Sequence, residues 1–226
     1  LEGARLVFDA LNSSYEVETF LITESANEKY FDSSVQMQRK SKNSYFISDT
    51  LSQKISETKN SQGVFAVCKM KNENISLKTG QKYIALDNLQ DPGNLGTVIR
   101  TAEALGISSV IVGGGCDVFN PKVLRASMGS VLRLDVFECQ SLAPVLQKAK
   151  SLGIKTYATS PDSSAKKINE TQFPKSSLCV IGNEANGVSD EVMNICDETV
   201  TIPMLGRAES LNAHVAGAIV MWEMLR

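Results

Sequence analysis

The chain has 226 residues, 42% of them hydrophobic, with 23 Lys+Arg against 25 Asp+Glu and a formal net charge of −2. That length allows one large or two small domains with proper cores. The charge balance excludes nucleic-acid binding by bulk positive charge, so any basic contacts must be locally clustered or few.

The five cysteines, Cys68, Cys116, Cys139, Cys179 and Cys196, form no C-x-x-C pair, and four lie in or beside apolar runs. Such thiols are usually buried and reduced, which reads as a reducing, cytoplasmic setting with no zinc site. No signal peptide is found, and no apolar run is long enough to cross a bilayer. The single histidine, His214, excludes a His-rich metal site and weakens a Ser-His hydrolase reading. The sequence opens on Leu1 rather than Met and is read as lacking its natural N-terminus.

Taken in order, Glu2 to Leu11 reads as a helix, Val17 to Ile22 as a strand and Glu24 to Phe31 as a short helix. Ser33 to Ser44 is polar and carries Arg39, Lys40 and Lys42, a cluster that reads either as a solvated loop or as a phosphate contact with Lys54 and Lys59 nearby. Tyr45 to Ile47 is a short strand, Asp49 or Thr50 caps a helix through Ile55, and Val64 to Met70 is a third strand. These elements predict a small α/β domain over residues 1–73. Lys71 to Gly80 is polar and reads as a linker, with 74–80 leading into a second domain at 81–226.

In the second domain strands and helices alternate. Strands are expected at Tyr83–Leu86, Val110–Val112, Leu132–Phe137, Lys155–Ala158 and Leu178–Ile181. Helices are expected to Leu105, from Pro121 to Met128, Leu142 to Leu152 and Ser189 to Ile195. Alternation predicts an α/β fold with a mostly parallel sheet, and ligands at the carboxyl ends of its strands.

Three loops stand out. Asp91-Pro92-Gly93-Asn94-Leu95-Gly96 opens the helix that carries Arg100. Cationic Arg100 in the second turn does not suit the helix dipole, so it faces an anion or a partner, or pairs with Glu103 three residues on. Gly182 to Gly187 has two glycines and two asparagines, allowing positive φ and close backbone approach to a ligand. Glu184 in its middle is either a free surface carboxylate or an acceptor for Arg or backbone amides. Gly113-Gly114-Gly115 is a weak dinucleotide signal, because Val118 stands where a third glycine belongs.

The third loop closes the chain. Val200, Thr201 and Ile202 are β-branched and Pro203 stops them. A helix is expected from Glu209 or Ser210, with Leu211, Val215, Ala218 and Trp222 on its apolar face. Ser210 and Asn212 flank Leu211. They read either as an N-cap and a solvated first-turn residue, or as hydrogen-bonding groups beside free backbone amides at a ligand site.

Together, Asp91 to Ala102, Ile181 to Val188 and Ile202 to Ala213 resemble, intact and in order, the three motifs of the SpoU/TrmH-like family of SPOUT-class RNA ribose 2'-O-methyltransferases. The resemblance covers 81–226 fully. More loosely, Glu2 to Val7 and Ser61 to Val64 resemble the ribosomal-protein-like RNA-binding domain that often precedes it. The resemblance implies a C-terminal deep trefoil knot, with the chain after Ile202 threaded through a loop, and S-adenosylmethionine bound there. Gly182, Ile202 and Leu211 match the cofactor contacts, with Thr159 as a further candidate. Arg100 matches the residue that handles the ribose hydroxyl, with Asn94, Glu184, Ser210 and Asn212 as its catalytic companions. A homodimer is implied, combining Arg100 of one protomer with the knot of the other. The expected substrate is ribosomal RNA first and transfer RNA second, with no metal and no membrane partner. The rival readings are a non-catalytic RNA- or ribosome-binding protein of the same fold, and a methyltransferase with another acceptor.

Overall fold

The computed structural model describes residues 1–71 and 74–226. It divides into two compact units, Leu1–Asn72 and Glu73–Arg226. The domain boundary expected at residue 73 lies outside the described residues.

In the first unit, α1 (Ala4–Asp9) continues as a 3-10 turn, Ala10–Asn12. β1 (Val17–Ile22) is the central strand of three. α2 (Glu24–Lys29) starts at Thr23, whose hydroxyl accepts the Ala26 amide at 3.3 Å. α3 (Phe31–Lys40) then leads to β2 (Asn43–Phe46), which pairs parallel with β1. α4 (Asp49–Ile55) is capped by Ser48 rather than by Asp49 or Thr50. β3 (Val64–Cys68) pairs antiparallel with β1.

The polar stretch from Ser33 is thus largely helical. Only Ser34 and Met37 of α3 are buried, too sparse a stripe to announce a helix by periodicity. Its basic cluster divides: Arg39 and Lys42 are exposed, and Lys40 is a structural tie. Lys40 Nζ donates to the carbonyls of Ala10 (2.6 Å), Leu11 (2.8 Å) and Ser13 (2.8 Å), tying α3 to the turn after α1. Lys42 pairs with Glu16 at 2.5 Å.

The second unit is built on a seven-stranded parallel sheet. Its strands are β4 (Lys82–Asp87), β5 (Ser109–Gly113), β6 (Asp135–Cys139), β7 (Lys155–Thr159), the two-residue β8 (Lys166–Lys167), β9 (Ser177–Ile181) and β10 (Glu198–Thr201). Their order is β6-β5-β4-β9-β7-β10-β8. β5 and β9 are buried at every position, as expected of parallel strands covered on both faces. The chain runs outward from β4 to β5 and β6, then crosses to β7 on the far side of β9. The sheet therefore has a switch in direction beside β9, where loops at the carboxyl ends diverge and leave a crevice.

α5 (Pro92–Leu105) begins at Asp91, whose Oδ1 accepts the Asn94 amide at 2.8 Å, with Pro92 at its first position. Gly106, at φ +79°, ends it. α6 (Pro121–Ala126) crosses α5 closely. A Cβ on Gly96 would stand 2.5 Å from Ala126 Cβ. α7 (Ala143–Ser151) and α8 (Asp190–Ile195) cover one face of the sheet, where Leu146 and Val192 join Tyr83, Ala85, Leu178 and Val180 in the core.

Three expectations about this unit are corrected. Ser130–Leu132 is a 3-10 turn, so the strand expected from Leu132 starts at Asp135. The last helix, α9 (Ala213–Leu225), starts at Ala213 with Asn212 as its cap, and Glu209 to Leu211 belong to the loop before it. Its buried face is Ala213, Gly217, Val220, Met221 and Met224, while Val215 is 39% and Trp222 62% exposed. The helix is apolar nearly all round, so spacing alone does not select the buried face. Packing on α5 selects it, with Gly217 set against Val98. No helix among the described residues is long and apolar enough to cross a membrane.

Candidate active site

The carboxyl ends of β7, β9 and β10 open into one cavity of about 280 Å³, near the lower end of the roughly 300–1,000 Å³ usual for small-molecule sites. Three chain segments wall it: Thr159–Pro161, Ile181–Gly187 and the stretch from Ile202 to Ala216. Thr159, Gly182, Glu184, Ile202, Ser210 and Leu211 all line it. Asn94, Arg100 and Asn212 do not.

Gly182 is dictated by its surroundings. A Cβ there would lie 2.1 Å from the Gly187 carbonyl carbon and 2.2 Å from the Val188 nitrogen. The loop folds back on itself, with Asn183 and Gly187 exchanging both backbone hydrogen bonds at 2.9 Å. Asn183 Oδ1 accepts the amides of Ala185 (2.8 Å) and Asn186 (3.1 Å), and its Nδ2 donates to the Asn88 carbonyl at 2.8 Å. Thr159 Oγ1 donates to the Val180 carbonyl at 3.0 Å, holding the end of β7 to β9.

Glu184 is anchored on the first marked loop. Its Oε1 accepts from Asn94 Nδ2 at 2.8 Å and from the Asp91 amide at 3.3 Å, and its Oε2 from the Gln90 amide at 3.3 Å. Burial pushes the carboxyl up, and these donors outweigh it, leaving it below its ordinary value. Of the two sequence readings for Glu184, this is the acceptor, with amides and an asparagine as donors. Asn94 is 7% exposed, and its Oδ1 lies 2.9 Å from His214 Nδ1. His214 joins this network although the sequence singled it out only to exclude other chemistries. The available signal was the position of the single imidazole two residues past Asn212, inside the third motif.

Asn212 Oδ1 accepts the His214 amide at 3.0 Å and caps α9, the role the sequence offered to Ser210. Ser210 is exposed at the cavity. Among the described residues, the backbone amides and carbonyls of residues 204–211 have no protein hydrogen-bond partner. Of these, Met204, Glu209, Ser210 and Leu211 line the cavity, and unpaired backbone beside the apolar Ile202, Met204 and Leu211 suits a ligand that is part apolar and part hydrogen-bonding.

Arg100 stands exposed on α5 and, among the described residues, pairs with no acidic group. Glu103 accepts instead from Arg133 Nε at 3.2 Å and Ser130 Oγ at 3.1 Å, so the i,i+3 pair with Arg100 does not form. Gly115 packs under the loop after β4, where a Cβ would be 2.3 Å from the Leu89 carbonyl oxygen. Gly113 packs against Leu142, where a Cβ would be 2.5 Å from Cγ, and Gly114 has φ +68°, so packing and backbone conformation account for the run without a dinucleotide. No cluster of three metal-binding side chains occurs among the described residues.

Residues 81–222 match the model of the SpoU rRNA Methylase family, and residues 1–66 match that of an MRM3-like substrate binding domain. The 23S rRNA (guanosine(2553)-2'-O)-methyltransferase RlmP of Bacillus subtilis is 34% identical over 99% of this chain and 87% of its own. The crystal structure of the SpoU methyltransferase AviRb from Streptomyces viridochromogenes, in complex with AdoMet, aligns with TM-score 0.86 and 27% identity, covering 100% of this chain and 88% of its own. The AdoMet-bound rRNA methyltransferase from Sinorhizobium meliloti aligns with TM-score 0.87 and 27% identity, covering 99% and 85%.

Proposed function

This chain belongs to the SpoU rRNA methylase family, and from that premise we propose that it is an S-adenosylmethionine-dependent RNA methyltransferase acting on a ribose 2'-hydroxyl of ribosomal RNA. The observation that carries the reading is the single cavity in which Thr159, Gly182, Ile202 and Leu211 meet from three distant segments, beside a loop of unpaired backbone. Ile202 and Leu211 provide apolar walls, and the unpaired backbone groups of Met204, Glu209, Ser210 and Leu211 provide hydrogen bonds, a lining that fits an adenosine bearing an amino-acid tail. When bound, S-adenosylmethionine supplies a methyl group made electrophilic by its sulfonium.

The protein's part is positioning and charge control. Arg100 stabilises the alkoxide that develops as the 2'-hydroxyl loses its proton to water or an RNA phosphate oxygen. Its own pKa, above about 12, makes it a poor base and a permanent cation. Asn94 and Glu184 hold the Gly182–Gly187 loop on α5, Ser210 faces the cavity, and Asn212 fixes the junction with α9. Arg100 does not line the cavity of its own chain. That supports a homodimer in which Arg100 of one protomer serves the cavity of its partner, with the exposed Val215 and Trp222 of α9 in the interface. In this reading the segment after Ile202 completes a deep trefoil knot, and the protein works in the cytoplasm. The ribosomal-protein-like first unit grips the RNA, through Arg39, Lys54 and Lys59, which are exposed and, among the described residues, unpaired.

Incubation with methyl-tritiated S-adenosylmethionine and, separately, ribosomal RNA, transfer RNA and protein extract tests the reading. Label is expected in ribosomal RNA as an alkali-resistant 2'-O-methylnucleotide. Label confined to transfer RNA moves the substrate, and label in protein or in nothing overturns the proposal.

A further inference from the structure

The single histidine of the chain has no part in the proposed chemistry, yet it closes a chain of hydrogen bonds through all three motif segments. His214 lies in the first turn of α9, Asn94 in the first turn of α5, and Glu184 in the loop after β9. Their contacts are 2.9 Å from His214 Nδ1 to Asn94 Oδ1 and 2.8 Å from Asn94 Nδ2 to Glu184 Oε1.

We propose that His214 is a positioning residue for methyl transfer, its Nδ1–H holding Asn94, and through Asn94 the Glu184 carboxylate, in the arrangement that fixes the cavity loop against α5. The direction of the bonds follows from chemistry. An ionised carboxylate can only accept, so Asn94 must turn its Nδ2 toward Glu184. Its Oδ1 then faces His214, and Nδ1 must carry the hydrogen. Neutral imidazole in water prefers its proton on Nε2, so the protein selects the less common tautomer through the bond that Nδ1 makes. Asn94 is nearly inaccessible to water, so an unmatched Oδ1 would leave a buried acceptor unsatisfied. The His214 backbone is held in turn by Asn212, whose Oδ1 accepts its amide. Replacing the imidazole therefore frees Asn94 to rotate and loosens Glu184 from the loop that walls the cavity.

The inference rests on the methyltransferase reading, so its test has one arm that does not depend on activity. His214 is the chain's single histidine, so untagged full-length protein labelled with ¹⁵N-histidine gives one pair of ring nitrogens. At alkaline pH the long-range ¹H–¹⁵N spectrum should place the proton on Nδ1, and Asn94→Ala should move it to Nε2. A wild-type proton on Nε2, or a tautomer unmoved by Asn94→Ala, overturns the proposal. In the kinetic arm, His214→Ala should lower kcat on ribosomal RNA about tenfold, what one typical hydrogen bond is worth, with the KM for S-adenosylmethionine unchanged within about twofold. His214→Asn, whose amide N–H can stand where Nδ1–H stood, should restore most of it. In an Asn94→Ala background, His214→Ala should add nothing. An unchanged kcat, or an equal loss in both backgrounds, overturns the positioning role. Wild-type protein that transfers no methyl group to any RNA would sink the functional reading, while the ring-nitrogen spectra still decide the His214–Asn94 link.

Discussion

Asn94 and Glu184, 90 residues apart in sequence, meet through a 2.8 Å hydrogen bond that joins the start of α5 to the loop after β9. The carboxylate also takes the amides of Gln90 and Asp91, so one side chain satisfies donors around a helix start and fixes a wall of the cavity.

That anchor has a pH signature. The Glu184 carboxyl is held below its ordinary value of 4.5. A depressed folded-state value means its stabilisation is complete above the ordinary value and is lost as pH falls through the folded one. Glu184→Gln should lower Tm by about 2–4 °C at pH 7, solvent exposure keeping the effect small. The wild-type and variant curves should converge as pH falls below 4.5 and through the lowered folded-state value in a calorimetric series. Parallel curves would show that the anchor does not work through charge.

Gly182 tolerates no side chain, because a Cβ would stand 2.1 Å from backbone rather than from a flexible side chain. Gly182→Ala should destabilise the protein by about 3 kcal/mol or more and abolish S-adenosylmethionine binding. Thermal unfolding and titration calorimetry check both.

Arg100→Ala should leave the fold and cofactor affinity as they are, since the exposed guanidinium has no partner among the described residues. It should lower kcat by about 10²–10³-fold, the usual cost of removing a group that stabilises developing negative charge. Rates of tritium transfer measure it.

Within the basic cluster, Lys40 and Arg39 should separate structure from binding. Lys40 donates to three carbonyls, so Lys40→Ala should cost about 1–3 kcal/mol of stability in a denaturant titration. Arg39→Ala should leave stability unchanged and weaken RNA binding, with a shallower salt dependence in filter-binding assays.

Trp222 is 62% exposed on a helix otherwise anchored by Gly217, Val220 and Met221. If Trp222 lies in the proposed homodimer interface, Trp222→Asp should leave circular dichroism unchanged and weaken self-association by about 30-fold or more, as loss of a buried aromatic anchor does. Sedimentation velocity against concentration reads it directly.

Much of this protein was determined by local sequence alone. Alternating strands and helices, with Pro121 and Pro203 as punctuation, announce a parallel α/β sheet, because helix and strand periods, caps and breakers are short-range physics. The three marked loops are legible for the same reason, as glycine, proline and asparagine declare unusual backbone wherever they cluster. Tertiary structure alone decided which groups pair across those loops. Asn94 reaches Glu184 and His214, Glu103 turns to Arg133 instead of Arg100, and Lys40 becomes a tie between elements. It also chose the buried face of α9 and its starting residue. Each of those outcomes depends on contacts between residues remote in sequence, where many pairings are chemically equivalent and only the packed geometry distinguishes them.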